Sequence, residues 1–417
     1  MKRTAVFSIL FVLGMACYAQ VNPVQEKTDS CTMEISLLTC APGTDLYSLF
    51  GHTAIRVRDT RRGMDIVYNY GTFDDTDPMF YVKFMRGIMR YSLSADTYDS
   101  FMQEYVFEHR AVTAQVLDLS CTEKNNLYEA LRKNTLDENR LYDYYFLNDN
   151  CTTRAGKIIE SKVQDSLMYK NILPINSAVV LPPANSSLTG PGLTFRDMIH
   201  EYLDKQHASW SEFGIDLFLG SNLDKKVTNM EAIHFLPDYL FEGMDSAYTG
   251  KKQIVSAKRK LLEFPNAKRI SEGLTPTAFF ECLLLGFIML FLFRASPRIR
   301  KVIFIFDIVF FSLLGLLGIL MAAMWLGRVD DVCSKNINVL WAIPTHIVAV
   351  FFIRKKYSWV KYYFLVTAIL ALILAIGFPW WPQRMNAAVL PILGIIIFRG
   401  FYLFQIGKYA EKPAIQG

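Results

Sequence analysis

A chain of 417 residues in which 52% are hydrophobic and 14% aromatic carries more apolar side chain than a purely soluble protein needs. Its formal charge of +5 gathers in loops between apolar runs. The charge therefore describes a membrane topology, and a nucleic-acid-binding reading is excluded.

In chain order the first feature is residues 1–19. Lys2 and Arg3, an apolar run from Ala5 to Met15 and small residues near Ala19 form the pattern of a secretory signal peptide. A lipoprotein signal ending at Cys17 is the rival reading, but Gly14-Met15-Ala16 matches it poorly, so cleavage near Ala19 is preferred. The mature chain is expected outside the cytoplasm.

Residues 20–170 predict a small α+β domain. β-branched and aromatic residues separated by turn signals predict strands over 33–39, 53–58, 65–70 and 112–119. Helical patterns cover 97–108, 122–134 and 152–160, with capping chemistry at Ser120 and Glu123 near the second. A Pro/Gly/Ser-rich loop at 181–192 introduces further helices, so 171–272 is expected as a mostly helical periplasmic extension. Its basic end, 251–269, adjoins the membrane and is expected to rest on anionic headgroups.

Apolar runs at about 276–293, 302–326, 339–353, 362–378 and 387–404 predict an α-helical membrane domain of about five spans within 276–406. The third run is short and holds Pro344 and His346. Arg294, Arg298, Arg300 and Lys301 separate the first two runs, and Arg354, Lys355, Lys356 and Lys361 separate the third and fourth, which makes those loops cytoplasmic. Everything before Pro276 then lies outside the bacterial inner membrane, and 407–417 is a cytoplasmic tail. Asp307, His346 and Arg399 are ionisable groups in or near spans, where such groups are expensive and often functional. No catalytic role is assigned to them: snorkelling accounts for Arg399, and capping of a helix break at Pro344 accounts for His346.

The sequence contains no internal repeat, Walker loop, dinucleotide fingerprint or zinc spacing, so no cofactor or metal is expected. Of the seven cysteines, Cys31, Cys40 and Cys121 are candidates for a disulfide in an oxidising compartment, with the pairing open. Cys151 differs in its surroundings. It follows the polar run Asn148-Asp149-Asn150 and opens a helix, where free N–H groups and the macrodipole lower a thiol pKa. An arbitrary cysteine is more often an inert buried one, and this setting is what favours a nucleophile. About a hundred residues upstream, His52 begins a strand-like run beside Gly51 and offers a general base. Asn69, on a neighbouring strand, is the candidate third member that fixes the imidazole, with an ordinary polar strand residue as the equal alternative. The Cys151 N–H, helped by Asn150, is the expected oxyanion hole.

Histidine on a strand before cysteine opening a helix in an Asn-Cys motif resembles circularly permuted papain-like enzymes of the lecithin:retinol acyltransferase type. The resemblance narrows with five strings taken in order. They are Ile35-Ser36-Leu37-Leu38-Thr39-Cys40-Ala41-Pro42-Gly43, Leu49-Phe50-Gly51-His52-Thr53-Ala54, Tyr68-Asn69-Tyr70-Gly71-Thr72-Phe73-Asp74, Asn150-Cys151-Thr152-Thr153-Arg154 and Phe213-Gly214-Ile215-Asp216-Leu217-Phe218-Leu219-Gly220. Together they are similar to the Lnb family of bacterial apolipoprotein N-acyltransferases, and Phe235-Leu236-Pro237-Asp238-Tyr239-Leu240 and Asn338-Val339-Leu340-Trp341 extend the likeness toward the membrane part. The resemblance implies a thiol-dependent, ping-pong acyltransferase. A phospholipid is the acyl donor, and the amine of a diacylglyceryl-cysteine lipoprotein is the acceptor. Two rivals stay open: a membrane-anchored Cys/His peptidase or amidase acting in the periplasm, and an inactive binding domain coupled to a membrane transducer.

Overall fold

The computed structural model describes residues 31–410 except 46, 74–75, 165, 174–191, 266–269, 271–272 and 356. The expected signal peptide, nearly all of the loop at 181–192 and the last part of the expected tail, 411–417, lie outside the described residues.

An antiparallel sheet of seven strands organises the first part of the chain. Its strands are β1 (Met33–Cys40), β2 (His52–Asp59), β3 (Met64–Thr72), β4 (Arg90–Thr97), β5 (Val112–Leu117), β6 (Leu141–Asp143) and β9 (Val255–Leu262), in the order β6-β4-β3-β2-β1-β5-β9. A separate hairpin pairs β7 (Tyr248–Thr249) with β8 (Lys252–Gln253). Successive strand side chains face opposite sides, and the core follows that rule. Ile35, Leu37, Ile55 and Val57 pack with Leu127 and Leu131 of helix α3 (Cys121–Asn134) and Ile158 of helix α4 (Cys151–Glu160). Leu38, Cys40 and Ala54 pack instead with Phe101 and Tyr105 of α2 (Tyr98–Phe107). A short helix, α1 (Phe80–Arg86), precedes β4.

Three strands of the large sheet, and both strands of the hairpin, depart from the sequence reading. β4 and β6 fall outside the predicted strands, and part of the basic segment 251–269 forms the edge strand β9, paired with β5. Edge strands favour charge on their exposed side. Here the charges are matched within the protein: Arg259 bonds Glu34 at 2.7 Å and Lys258 bonds Asp245 at 2.8 Å. The stretch 171–272 is thus not wholly a helical extension, because its end returns to the first sheet. Between them lie α5 (Phe195–Gln206), α6 (Ser209–Phe218), α7 (Asn229–Phe235) and α8 (Pro237–Ser246).

The C-terminal part is helical: α9 (Pro276–Leu292), α10 (Pro297–Gly327), α11 (His346–Ala349), α12 (Ser358–Ile376) and α13 (Val389–Ala410). Among the described residues three helices are long and apolar enough to cross a bilayer, Pro297–Gly327, Ser358–Ile376 and Val389–Ile406, while α9 is a shorter apolar helix. The third predicted run is not one helix. Short 3₁₀ turns at Ile337–Leu340 and Val350–Phe352 flank α11, because Pro344 cannot donate to a helix. The break is satisfied locally. Nε2 of the fully buried His346 donates to Trp341 O at 3.2 Å, and its Nδ1 accepts from Tyr363 Oη at 2.8 Å.

This broken segment lies along α10. A Cβ on Gly318 would stand 1.8 Å from Ala342 O, and one on Gly315 would stand 2.6 Å from Ile347 N. Small residues permit such backbone contact between membrane segments. Further along, the Arg354 guanidinium carbon sits 3.5 Å from the Phe304 ring centroid.

Candidate active site

Three predicted side chains converge from separate elements. His52 opens β2, Asn69 lies in β3, and Cys151 is the first residue of α4. Gly71 separates them. It has φ +98° beside a β-bulge, and a Cβ there would lie 3.5 Å from Cys151 Cβ and 3.9 Å from His52 Cε1. Gly51, φ +72°, brings the chain so close to β1 that a Cβ would meet Cys40 O at 2.6 Å. Both positions favour glycine for conformation as well as space.

The start of α4 is built by Asn150, its N-cap. Asn150 Oδ1 accepts from Thr153 N at 2.9 Å and from Thr153 Oγ1 at 3.1 Å, and Nδ2 donates to Phe146 O and Phe235 O, both at 2.9 Å. Both amide hydrogens are therefore taken, and the expected oxyanion donor finds no free N–H on this side chain. Its geometry is that of a cap. The Cys151 N–H, in the first helical turn, has no intrahelical acceptor. Arg154 reaches back to Asp149 at 2.6 Å and lies over the Tyr142 ring at 3.6 Å, which fixes the loop leading into the helix.

Two buried threonines tie the two elements together. Thr53 Oγ1 of β2 and Thr152 Oγ1 of α4 are 3.1 Å apart. Burial opposes charge on both members of the His52/Cys151 pair, but their mutual attraction and hydrogen bond outweigh it. The thiol is held below its ordinary value and the imidazole above its own. The arrangement favours a thiolate beside an imidazolium.

The imidazole is oriented by a residue that the sequence reading missed. Asn69 Nδ2 donates to Asp96 Oδ2 at 3.0 Å, and Ser94 Oγ donates to the same oxygen at 2.9 Å. A carboxylate only accepts, so Asn69 must turn Oδ1 toward His52 Nε2, 3.3 Å away. His52 Nε2–H then donates to Asn69 and Nδ1 remains for the thiol. Asp96 is thus a positioning residue acting through Asn69. The alternation Tyr91-Ser92-Leu93-Ser94-Ala95-Asp96 is the strand signal that could have found it.

All six described cysteines are free. Of the three disulfide candidates, the Cys31 thiol is raised above its ordinary value by burial and by its neighbour Cys121, while Cys40 is buried opposite His52 in the β1–β2 register, its pKa pushed up to about 12 by burial.

An aromatic path runs from the site toward the membrane part. Tyr144 and Tyr91 stack at 4.2 Å, Tyr91 meets Phe73 at 5.3 Å, Phe73 meets Phe80 at 5.6 Å, and Phe80 stacks on Phe84 at 6.5 Å. Met79, Val82 and Phe84 are exposed. The same helix, α1, is tied to the end of α10: Arg328 Nη1 donates to Phe84 O at 2.8 Å and Val329 N to Arg86 O at 3.1 Å.

A second polar cluster serves another purpose. His200, Glu212 and Asp216 bring ligand atoms within 4.8 Å of one another, yet Asp216 Oδ1 already receives Arg196 Nη1 at 2.7 Å and His200 Nε2 at 2.9 Å. A cation there would displace a buried guanidinium, so the cluster is an ionic latch. Asn386 Nδ2 donates to Asp216 Oδ2 at 3.1 Å, Asn338 Nδ2 to Asp216 O at 2.9 Å and Asn336 Nδ2 to Leu217 O at 2.7 Å, joining α6 to the membrane part.

Two family models match the chain, the Lnb N-terminal periplasmic domain over residues 19–182 and the Lnb transmembrane domain over residues 268–410. The chain belongs to the Lnb family. It is a membrane protein with a periplasmic domain, and the Cys151/His52 arrangement lies within the first Lnb match while α9 to α13 lie within the second. The latch helices α5 and α6 fall between the two Lnb matches. No curated protein and no solved structure matches the chain.

Proposed function

We propose that this Lnb protein is a lipoprotein N-acyltransferase that moves an acyl chain from a phospholipid, through a Cys151 thioester, to the N-terminal amine of a diacylglyceryl-cysteine. The observation that carries the reading is the thiol–imidazole pair at one end of an aromatic path whose other end, α1, is fastened to the membrane part by Arg328. Both substrates are lipids, and such a path suits an acyl chain.

The chemistry closes on these groups. The Cys151 thiolate attacks the ester carbonyl, and the oxyanion is met by the helix-start N–H. Collapse breaks the ester C–O bond, and the His52 imidazolium gives its proton to the leaving alkoxide of the lysophospholipid. The acceptor amine then attacks the thioester, neutral His52 takes the amine proton, and the thiolate leaves as the amide forms. Imidazolium and thiolate are restored. Asn69 holds the imidazole, Asn150 supports the helix start, and no cofactor enters.

The test uses purified full-length protein in liposomes with labelled phospholipid. A labile acyl-enzyme of the expected added mass should form on Cys151 and turn over slowly until a diacylglyceryl peptide with a free amine is supplied. An amine-blocked peptide should give no acceleration. Fast release of fatty acid that the acceptor leaves unchanged would assign a hydrolase, and absence of any covalent intermediate would assign a binding domain.

We also propose five crossings of the bacterial inner membrane, formed by α9, α10, the broken segment 337–353, α12 and α13. Two observations support it. Arg294, Arg300, Arg354 and Lys355 gather at one end of the bundle, whereas Arg328, Asn338 and Asn386 contact the periplasmic domain at the other. Basic loops stay in the cytoplasm. Reporter fusions at Arg298 and Lys355 should report the cytoplasm, and fusions at Gly273 and Arg328 the periplasm. A periplasmic report from Lys355 would remove the third crossing.

A further inference from the structure

The basic end of the bundle encloses a cavity of about 440 Å3. Arg294, Arg300, Arg354, Lys355, Lys361 and Arg399 line it, and among the described lining residues Asp307 supplies the one carboxylate. Among the described lining residues the cations outnumber the carboxylates, a polarity that suits an anion. The imbalance is graded with depth. Arg294, Arg300, Arg354 and Lys355 are exposed at the rim, whereas Lys361 is 7% and Arg399 2% exposed.

Arg399 is held in place for a partner that is not Asp307 alone. Its Nε and Nη2 donate to Asp307 Oδ1 at 2.7 Å and Oδ2 at 2.5 Å, while the rings of Phe287, Phe291 and Tyr402 stand 5.4, 5.7 and 4.9 Å from its guanidinium carbon. That bidentate pair fixes the plane of the guanidinium. The remaining nitrogen, Nη1, is buried with no hydrogen-bond partner among the described residues. A buried donor left unmatched is rare in a native protein and marks a missing acceptor. The walls between the cations are apolar, among them Ile303, Phe304, Val360 and Leu403. Snorkelling, the sequence-based reading of Arg399, does not describe a side chain that is paired, caged and buried.

We propose that this cavity binds a phosphate group, the headgroup of an anionic phospholipid whose chains continue along the apolar walls. Basic pockets between membrane helices on the cytoplasmic side suit such headgroups. Assignment to the cytoplasmic leaflet rests on the orientation proposed above. The anion chemistry does not, nor does it depend on acyl transfer, since binding in detergent is read without either.

The full-length protein, delipidated in neutral detergent, is titrated with phosphatidylglycerol and, separately, with phosphatidylcholine, and retained lipid is counted by native mass spectrometry. One phosphatidylglycerol should be retained roughly 10-fold more tightly than phosphatidylcholine, the scale expected for a charge-assisted contact. Arg354→Gln with Lys355→Gln leaves the Asp307–Arg399 pair intact and should remove most of that preference. Asp307→Asn with Arg399→Gln, which removes the buried donor without leaving a lone charge, should do the same. Arg298→Gln, an exposed charge outside the cavity, should change nothing. Inorganic phosphate supplies the second arm. If millimolar phosphate displaces the lipid and raises the melting temperature, the anion chemistry stands and its source is in solution; if it does neither while the lipid is retained, the source is the membrane. Equal retention of both lipids with no phosphate effect overturns the proposal, as does a loss in Arg298→Gln equal to that of the rim variant.

Discussion

Cys151→Ala should abolish acyl transfer, by at least about 10³-fold, because the reaction proposed has no route that bypasses the thioester. Folding should survive, with a melting temperature within a few degrees of the parent, since Cys151 is only half-buried at a helix start whose cap is Asn150. His52→Ala should be comparably damaging. Cys31→Ser and Cys121→Ser should retain activity, being remote from the thiol–imidazole pair. The electrostatics add a signed test. The thiol loses its proton at lower pH than an ordinary cysteine, and the imidazole keeps its proton to higher pH than an ordinary histidine. The reactive ion pair therefore exists between those two points, with the acid limb of activity following Cys151 and the alkaline limb following His52. Alkylation of Cys151 by iodoacetamide should persist into mildly acidic solution. In His52→Ala the burial remains while the attraction is gone, so the alkylation midpoint should move up. Asp96→Ala should narrow the window from the alkaline side by freeing Asn69 to turn. Near-normal transfer in Cys151→Ala would end the thioester mechanism, and an unmoved midpoint in His52→Ala would end the ion-pair account.

The parts of this site that were legible in the sequence are those whose physics is local. Asn150 before Cys151 announces a helix start, and Gly51 beside His52 announces a close approach; both signals sit within a few residues. The α+β character followed from period-two and helical patterns in the same way. What escaped depends on pairing across the sheet. Asp96 orients Asn69 only because β4 lies against β3 in a register that sets Asn69 opposite Ser94. In the segment 251–269 the lysines and arginines next to a membrane span signal headgroup contact, while the edge strand β9 within it needs Glu34 and Asp245 to be known as neighbours. The third apolar run had the composition of a span. Pro344 warned of a break, but the fit of Ala342 and Ile347 against Gly318 and Gly315 is a property of two segments together.

Arg196 anchors the latch between the periplasmic helices and the membrane part. It is fully buried, and it bonds Asp216 at 2.7 Å, Asp224 at 2.8 Å and the carbonyls of Leu219 and Gly220 at 3.0 Å each. Breaking a buried pair leaves uncompensated charge and costs roughly 3–5 kcal/mol. Arg196→Met should therefore lower the unfolding temperature in detergent more than any other single change outside the bundle core. Asn338→Ala, which removes a donor to the Asp216 backbone, should cost less, and the two together should fall short of the sum because they weaken one network. Glu212 has the opposite sign. Burial holds its carboxyl up to about 7, above its unfolded value, so ionising it in the folded protein opposes folding and stability drops as pH rises through about 7. Glu212→Gln should then stabilise the protein at about pH 8 and have much less effect at about pH 5. If Arg196→Met melts like the parent, or Glu212→Gln destabilises on the alkaline side, the cluster is not the latch that holds the periplasmic helices on the membrane part.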